Sequence, residues 1–271
     1  MSLEFGRDRF SIGRQDPPWK VVRAFPLAGG GKLVHLNNVS GGVLAGDRLA
    51  LEVTVAPDAA AQITTTGATR LYRHRHGEAD SEQHAAFHVG DRAQLEYLPD
   101  PVIPYAAARH HQRTEFHLGR GATLFWWEVS APGRFASGER FAFERLRVQS
   151  SITTAGRPIL REDYLLEPSR KDVASPIRML GYSHMASFYA VQEGRPAAFW
   201  RGLEERLTEI ACAHTSPGST VWGASGLTSD GVLVRGLAAS GRSIHATLIE
   251  FWRAARIAIT GIDAAPPRKI Y

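Results

Sequence analysis

The sequence predicts a mainly β fold: a superhelical stack of strand–turn–strand units with a few helices in its C-terminal half. Three observations carry this. From Lys32 to about Asp163, apolar and other residues alternate with period two, most clearly in "LALEVTV" (49–55), as half-buried strands do. Within that region a unit recurs. "VAPDAAAQIT" (55–64), "HVGDRAQLEY" (88–97) and "HLGRGATLFW" (117–126) each give an apolar residue, a tight turn, then Ala-Gln/Thr-Ile/Leu opening another strand. Aligned on Ala61, Ala93 and Ala122, the copies read as supersecondary units that stack to bury a shared core. Lastly, the period changes to 3.6. "FWRGLEERLTEIACA" (199–213) sets Phe199, Leu203, Leu207 and Ile210 on one helical face, and "RSIHATLIEFWRAARIAI" (242–259) does so with Ile244, Leu248, Phe251, Ala255 and Ile259.

Turn chemistry supplies the remaining elements. Residues 128–143, "EVSAPGRFASGERFAF", place two glycine turns between an aromatic strand (Phe125, Trp126, Trp127) and a second aromatic pair (Phe141, Phe143). A long hairpin with buried rings is expected there, holding Arg134 and Glu139 in fixed, partly buried positions. Ala155-Gly156-Arg157-Pro158 closes a further hairpin within 148–166, and a Ser-Asp-Gly turn divides 219–237 into two strands. No Pro/Gly/Ser-rich linker separates the halves, so residues 1–271 read as one domain.

Composition narrows the class. With 44% hydrophobic and 22% charged residues, the chain of 271 has an ordinary globular balance. A lone Cys212 excludes an intrachain disulfide and a cysteine-based zinc knuckle. No basic-then-apolar leader is seen, and charges interrupt every apolar run, which predicts a cytoplasmic protein without a membrane span. The net charge of +5 comes from arginines scattered singly, not gathered into the stripe that nucleic acid requires.

Candidate chemistry is sparse. "NNVSGGVLAGD" (37–47) lacks the Lys-Ser/Thr of a phosphate loop, and Gly41, Gly42 and Gly46 miss the dinucleotide spacing. Seven of eleven histidines lie between His74 and His117. His74 and His76 would share a strand face, as would His84 and His88, and imidazole suits nickel, copper and zinc. A metal-dependent hydrolase using these four is the alternative to an interaction protein, although the "RHRH" charges oppose a cation. No G-x-S-x-G elbow appears. Glu128, Glu139 and Asp163 could form a carboxylate site only if the fold joins them.

Taken in order, several segments resemble the urease accessory proteins of the UreD/UreH family. They are "PPWKVVRAFPL", "NNVSGGVLAGDRL", "ITTTGATRLYR", "LEYLPDPVIPY", "GRFASGERFAF", "LVRGL" and the closing "PPRKIY". Ala45, Gly67, Asp100 and the "RKIY" ending depart from the family pattern. The resemblance implies a non-enzymatic scaffold that binds UreF-type and, through them, UreG-type partners, then docks on apo-urease. It would help deliver nickel and support lysine carbamylation, with no tightly bound cofactor. The implied fold is superhelical and mainly β, with an internal water-filled passage for nickel. By motif, Asp47, Arg134 and Glu139 become the partner or nickel-path candidates. Gly41, Gly42, Gly46, Pro99 and Pro101 shape the motifs, with Tyr72 and Tyr97 as supports. The glycines would form a positive-φ turn that starts a core strand at Asp47. Buried there, Asp47 would need an arginine partner or a wet passage.

Overall fold

Three short turns decide the architecture. In the computed structural model, which describes residues 1–27, 29–264 and 266–267, each repeat copy has one positive-φ residue: Asp58 at +58°, Arg92 at +56° and Gly121 at +65°. The next residue is a buried alanine whose amide donates to the carbonyl three residues back. Ala59 reaches Ala56, Ala93 reaches Gly90 and Ala122 reaches Gly119, at 3.0, 3.1 and 3.2 Å. This is the pattern of a type II turn, and Pro57 occupies the position that favours it. Ala59, not Ala61, is thus the counterpart of Ala93 and Ala122. The register agrees, since Val55, Val89 and Leu118 lie in one row. A two-residue displacement keeps each strand's faces, so the period-two reading survives it.

In chain order the strands begin with β1 (Ser2–Phe5), β2 (Phe10–Ile12), β3 (Trp19–Lys20), β4 (Ala24–Pro26), β5 (Lys32–Asn38) and β6 (Arg48–Val55). Next come β7 (Ala60–Thr65), β8 (Thr69–Leu71), β9 (Ser81–Val89), β10 (Gln94–Leu98), β11 (Val102–Pro104) and β12 (Arg109–Leu118). The last are β13 (Thr123–Ser130), β14 (Arg145–Thr154), β15 (Arg157–Leu166), β16 (His184–Gln192), β17 (Thr220–Gly226) and β18 (Gly231–Ala238). Helices are α1 (Pro176–Met179), α2 (Ala197–His214) and α3 (Arg242–Thr260). The strand and helix shares, 44% and 17%, make the protein mainly β.

Each turn carries the chain from one sheet to the other. The first sheet runs β15-β14-β12-β9-β6-β1-β2, and the second runs β17-β18-β16-β13-β10-β7-β5-β3. Parallel neighbours β6, β9, β12 and β14 stack in the first, while β7, β10 and β13 stack in the second. Residues 48–154 therefore wind as a superhelical coil, as expected. The turns stack with the strands: Asp58 donates its amide to the Asp91 carbonyl at 3.0 Å, and Arg92 to Arg120 at 2.8 Å. No side chain fits between the layers. A Cβ on Gly90 would lie 2.7 Å from the Pro57 nitrogen, and one on Gly119 would lie 2.9 Å from the Asp91 nitrogen.

Two expectations are corrected. The segment between β13 and β14 is no hairpin, because those strands belong to different sheets. It is a crossing loop with one 3-10 turn at Phe135–Ser137. Phe143 is buried there, but neither Phe141 nor Phe143 is in a strand. Strand structure also begins earlier than the alternation suggests, since β1 runs parallel to β6 and extends the first sheet. Residues 268–271, which hold most of the closing "PPRKIY", lie outside those described.

The core has two layers. Leu51, Phe87, Phe116, Trp126 and Ile152 pack between the sheets. The second sheet's other face, with Phe125, Trp127, Phe188 and Val234, is covered by α2 and α3. Residues Ile244, Leu248, Phe251, Ala255 and Ile259 of α3 are buried as expected, joined by Trp252. On α2 the buried stripe is Trp200, Leu203, Leu207 and Ala211, with Phe199 and Ile210 only partly covered at its border. Among the described residues, no helix is long and apolar enough to cross a membrane.

Candidate functional site

The inward columns of the two sheets change chemistry along their length. Near the turns they are aromatic: Phe87 stacks on Phe116 at 4.8 Å, and Trp126 on Tyr189 at 4.4 Å between centroids. Farther along the same strands the buried positions turn polar, with Ser81 and Gln83 on β9, His110 and Thr114 on β12, and Ser150 on β14. On the facing sheet, period two carries the inward column of β13 from Trp126 to Glu128 and Ser130. Ser187 of β16 pairs in register with Glu128, and Glu162 of β15 pairs with Ser150. A polar seam therefore lies between the sheets.

At its end is a cavity of about 770 Å³ whose polar wall includes Glu128, Ser130, Glu162, Tyr164, Ser187 and Arg235. Met179 and Met185 line it as well. Glu162 is fixed on both oxygens: Arg235 donates to one and the Tyr189 hydroxyl to the other, at 2.9 Å in the latter case. Among the described residues, Glu128 has no such anchor. Burial pushes its carboxyl up to about 8, Glu162 adds to the rise and Arg235 opposes it. The site thus pairs a held carboxylate with one that is mostly protonated at neutral pH.

Of the three carboxylates considered from sequence, Glu128 and Asp163 line this cavity and Glu139 does not. Asp163 is held at about 2, first by the hydrogen bond from Arg147 and then by that from Gln149. Sequence reasoning missed Glu162 and Arg235, the groups that complete the site. Only the 148–166 hairpin pointed that way, because its period places Glu162 on the inward face.

The motif residues gather elsewhere. Arg134 pairs with Glu139 and lies over the Tyr105 ring at 4.8 Å. Tyr105 meets Tyr72 edge-on at 5.3 Å, and the Tyr72 hydroxyl donates to the Gly41 carbonyl at 3.4 Å. Gly41 and Gly46 take positive φ, at +76° and +74°. Gly42 serves close packing instead, since a Cβ there would sit 2.5 Å from Tyr72. Asp47 is half-buried and needs no arginine: its carboxylate accepts the Leu44 amide at 2.8 Å and closes its own turn. Tyr97 is a buried support packed 4.6 Å from Phe87. The Pro99 and Pro101 carbonyls accept from the Trp127 indole and the Thr69 amide, each at 2.9 Å. The departures from the family pattern are accommodated. Gly67 faces open space, Asp100 accepts from the Thr65 hydroxyl at 2.7 Å, and Ala45 is half-buried in the glycine turn.

The four histidines do not form one site. His74 is buried outside any strand, with Nδ1 accepting the Arg109 amide at 3.2 Å, while His76 is exposed in the following turn. Burial, then Arg109, lowers the His74 pKa, so its ring is neutral. His84 and His88 do share a face of β9, the exposed one. Among the described residues, no three His, Cys, Asp or Glu side chains are placed to hold a metal.

Fold and site together define a β-coil protein with a carboxylate-bearing polar seam between its sheets. The family model described as UreD urease accessory protein matches residues 1–270. A urease accessory protein UreD of Herpetosiphon aurantiacus is 41% identical over 270 residues, covering 100% of this chain and 94% of the relative. One from an Anaeromyxobacter species is 34% identical over 84% of this chain and 73% of its own length. One from Staphylococcus aureus is 31% identical over 59% of this chain and 56% of its own length. The chain belongs to the UreD family of urease accessory proteins.

Proposed function

We propose that this chain is a urease maturation factor: a cytoplasmic, non-enzymatic scaffold that, with UreF- and UreG-type partners, helps deliver nickel to apo-urease. Family membership supports the maturation role. The observation that carries the nickel reading is the Glu128–Glu162 pair lining one cavity at the end of the seam. Nickel is cargo here, not a resident cofactor. Two carboxyl groups without imidazole or thiolate make a site from which the ion can leave. Glu128 must lose its proton to bind a cation, so loading releases a proton, and Arg235 competes for Glu162. Asp47, Arg134 and Glu139 then act by shaping the loops at the coil end, not by touching nickel.

The test is the nickel content and activity of the host's urease with this chain deleted and then re-expressed. Full-length, nickel-poor and inactive urease, restored by re-expression, supports the reading. Normal nickel and activity in the deletion overturn it.

A further inference from the structure

The outer face of the first sheet carries two imidazoles in register. His88 on β9 pairs with His117 on β12, both are exposed, and their rings stack at 5.1 Å and 12°. Neighbouring parallel strands hold such side chains about 4.8 Å apart at their roots, close enough for both rings to turn toward one ion.

A hydrogen bond at Nδ1 orients the His117 ring. Thr153 is its register partner on β14, and the Thr153 hydroxyl donates its single proton to the Phe116 carbonyl at 3.3 Å. The oxygen of that hydroxyl lies 3.2 Å from His117 Nδ1. In the tautomer that places the proton on Nδ1, Nε2 is the lone pair available to an ion. A hydrogen bond on the far nitrogen is the arrangement that sets tautomer and orientation in metal-binding histidines. One rung away, Glu115 is bound by His84 at 2.6 Å and by Arg113 at 2.7 Å. It adds negative charge near the pair, but its oxygens are engaged.

From this geometry we infer that His88 and His117 form a surface chelate for a borderline divalent transition-metal ion, with Thr153 positioning His117. Among the described residues no third such donor is placed to join them, so solvent completes the coordination. The site is separate from the Glu128–Glu162 cavity and does not rest on that cavity's role.

Copper(II) is the probe, since it heads the affinity order for nitrogen sites. The full chain is titrated with Cu2+ by calorimetry, and paramagnetic resonance reads the nitrogen ligands. The expected result is a two-nitrogen signal lost in either His88→Asn or His117→Asn, with affinity at least tenfold weaker. Thr153→Val keeps both rings but loosens one, weakening binding about tenfold, while His84→Asn leaves the signal unchanged. Because both histidines are exposed, their variants should melt like the parent. Unchanged binding in His88→Asn and His117→Asn, no two-nitrogen signal in the parent, or a signal that follows His84 overturns the inference.

Discussion

Between its ordinary pKa of 4.5 and its folded value near 8, the Glu128 carboxyl keeps a proton in the folded chain that it sheds on unfolding. The folded state therefore binds more protons across that window, and stability falls as pH rises through it. Glu128→Gln removes the titration. Its melting temperature should match the parent near pH 4.5 and exceed it increasingly up to pH 8, a gap worth roughly a few kcal/mol; a constant gap would refute the burial argument. A second residue-scale prediction concerns Glu96, which is 2% exposed. It accepts from Arg256 at 2.7 Å, from Gln62 at 2.5 Å and from Gln94 at 2.7 Å. Arg256→Met leaves that carboxylate short of its cation and should cost about 3 kcal/mol in denaturant unfolding. Neither arrangement was legible in the sequence. Glu162 and Arg235 lie 73 positions apart, and Glu96 and Arg256 lie 160 apart, so only the packed sheets and helices bring them together.

The elements were legible where turn chemistry is local. Pro57-Asp58, Asp91-Arg92 and Arg120-Gly121 mark the turns that build the coil, and the Ala155-Gly156 hairpin and both long helices follow from their own residues. The 131–144 loop was not legible, because aromatic runs flanking glycine turns look alike whether the strands pair or diverge. Its direction is set by β14 stacking on β12, a parallel contact between strands distant in sequence. Close stacking of the turns has a measurable consequence. Gly119→Ala places a methyl against the Asp91 backbone and should destabilise by about 1–3 kcal/mol. Gly67→Ala, which meets nothing within 4 Å, should stay within about 0.5 kcal/mol of the parent. Equal effects in thermal melts would contradict the account of the turns.

For the whole molecule, the coil accommodates a polar seam between its two sheets. Parallel strands satisfy their backbone groups within each sheet, aromatic packing holds one end, and the helix layer seals the second sheet. The inward positions at the other end can then carry carboxylates without breaking the core. Asp47, Arg134 and Glu139 lie in the connecting loops, where Asp47 accepts the Leu44 amide and Arg134 pairs with Glu139. The most direct measurement is nickel per active site in urease matured with the Glu128→Gln/Glu162→Gln double variant in place of this chain. The comparison requires that the variant melts at or above physiological temperature and still co-purifies with its partners. Nickel-poor, weakly active urease is the expected result under limiting nickel. Wild-type loading would contradict it.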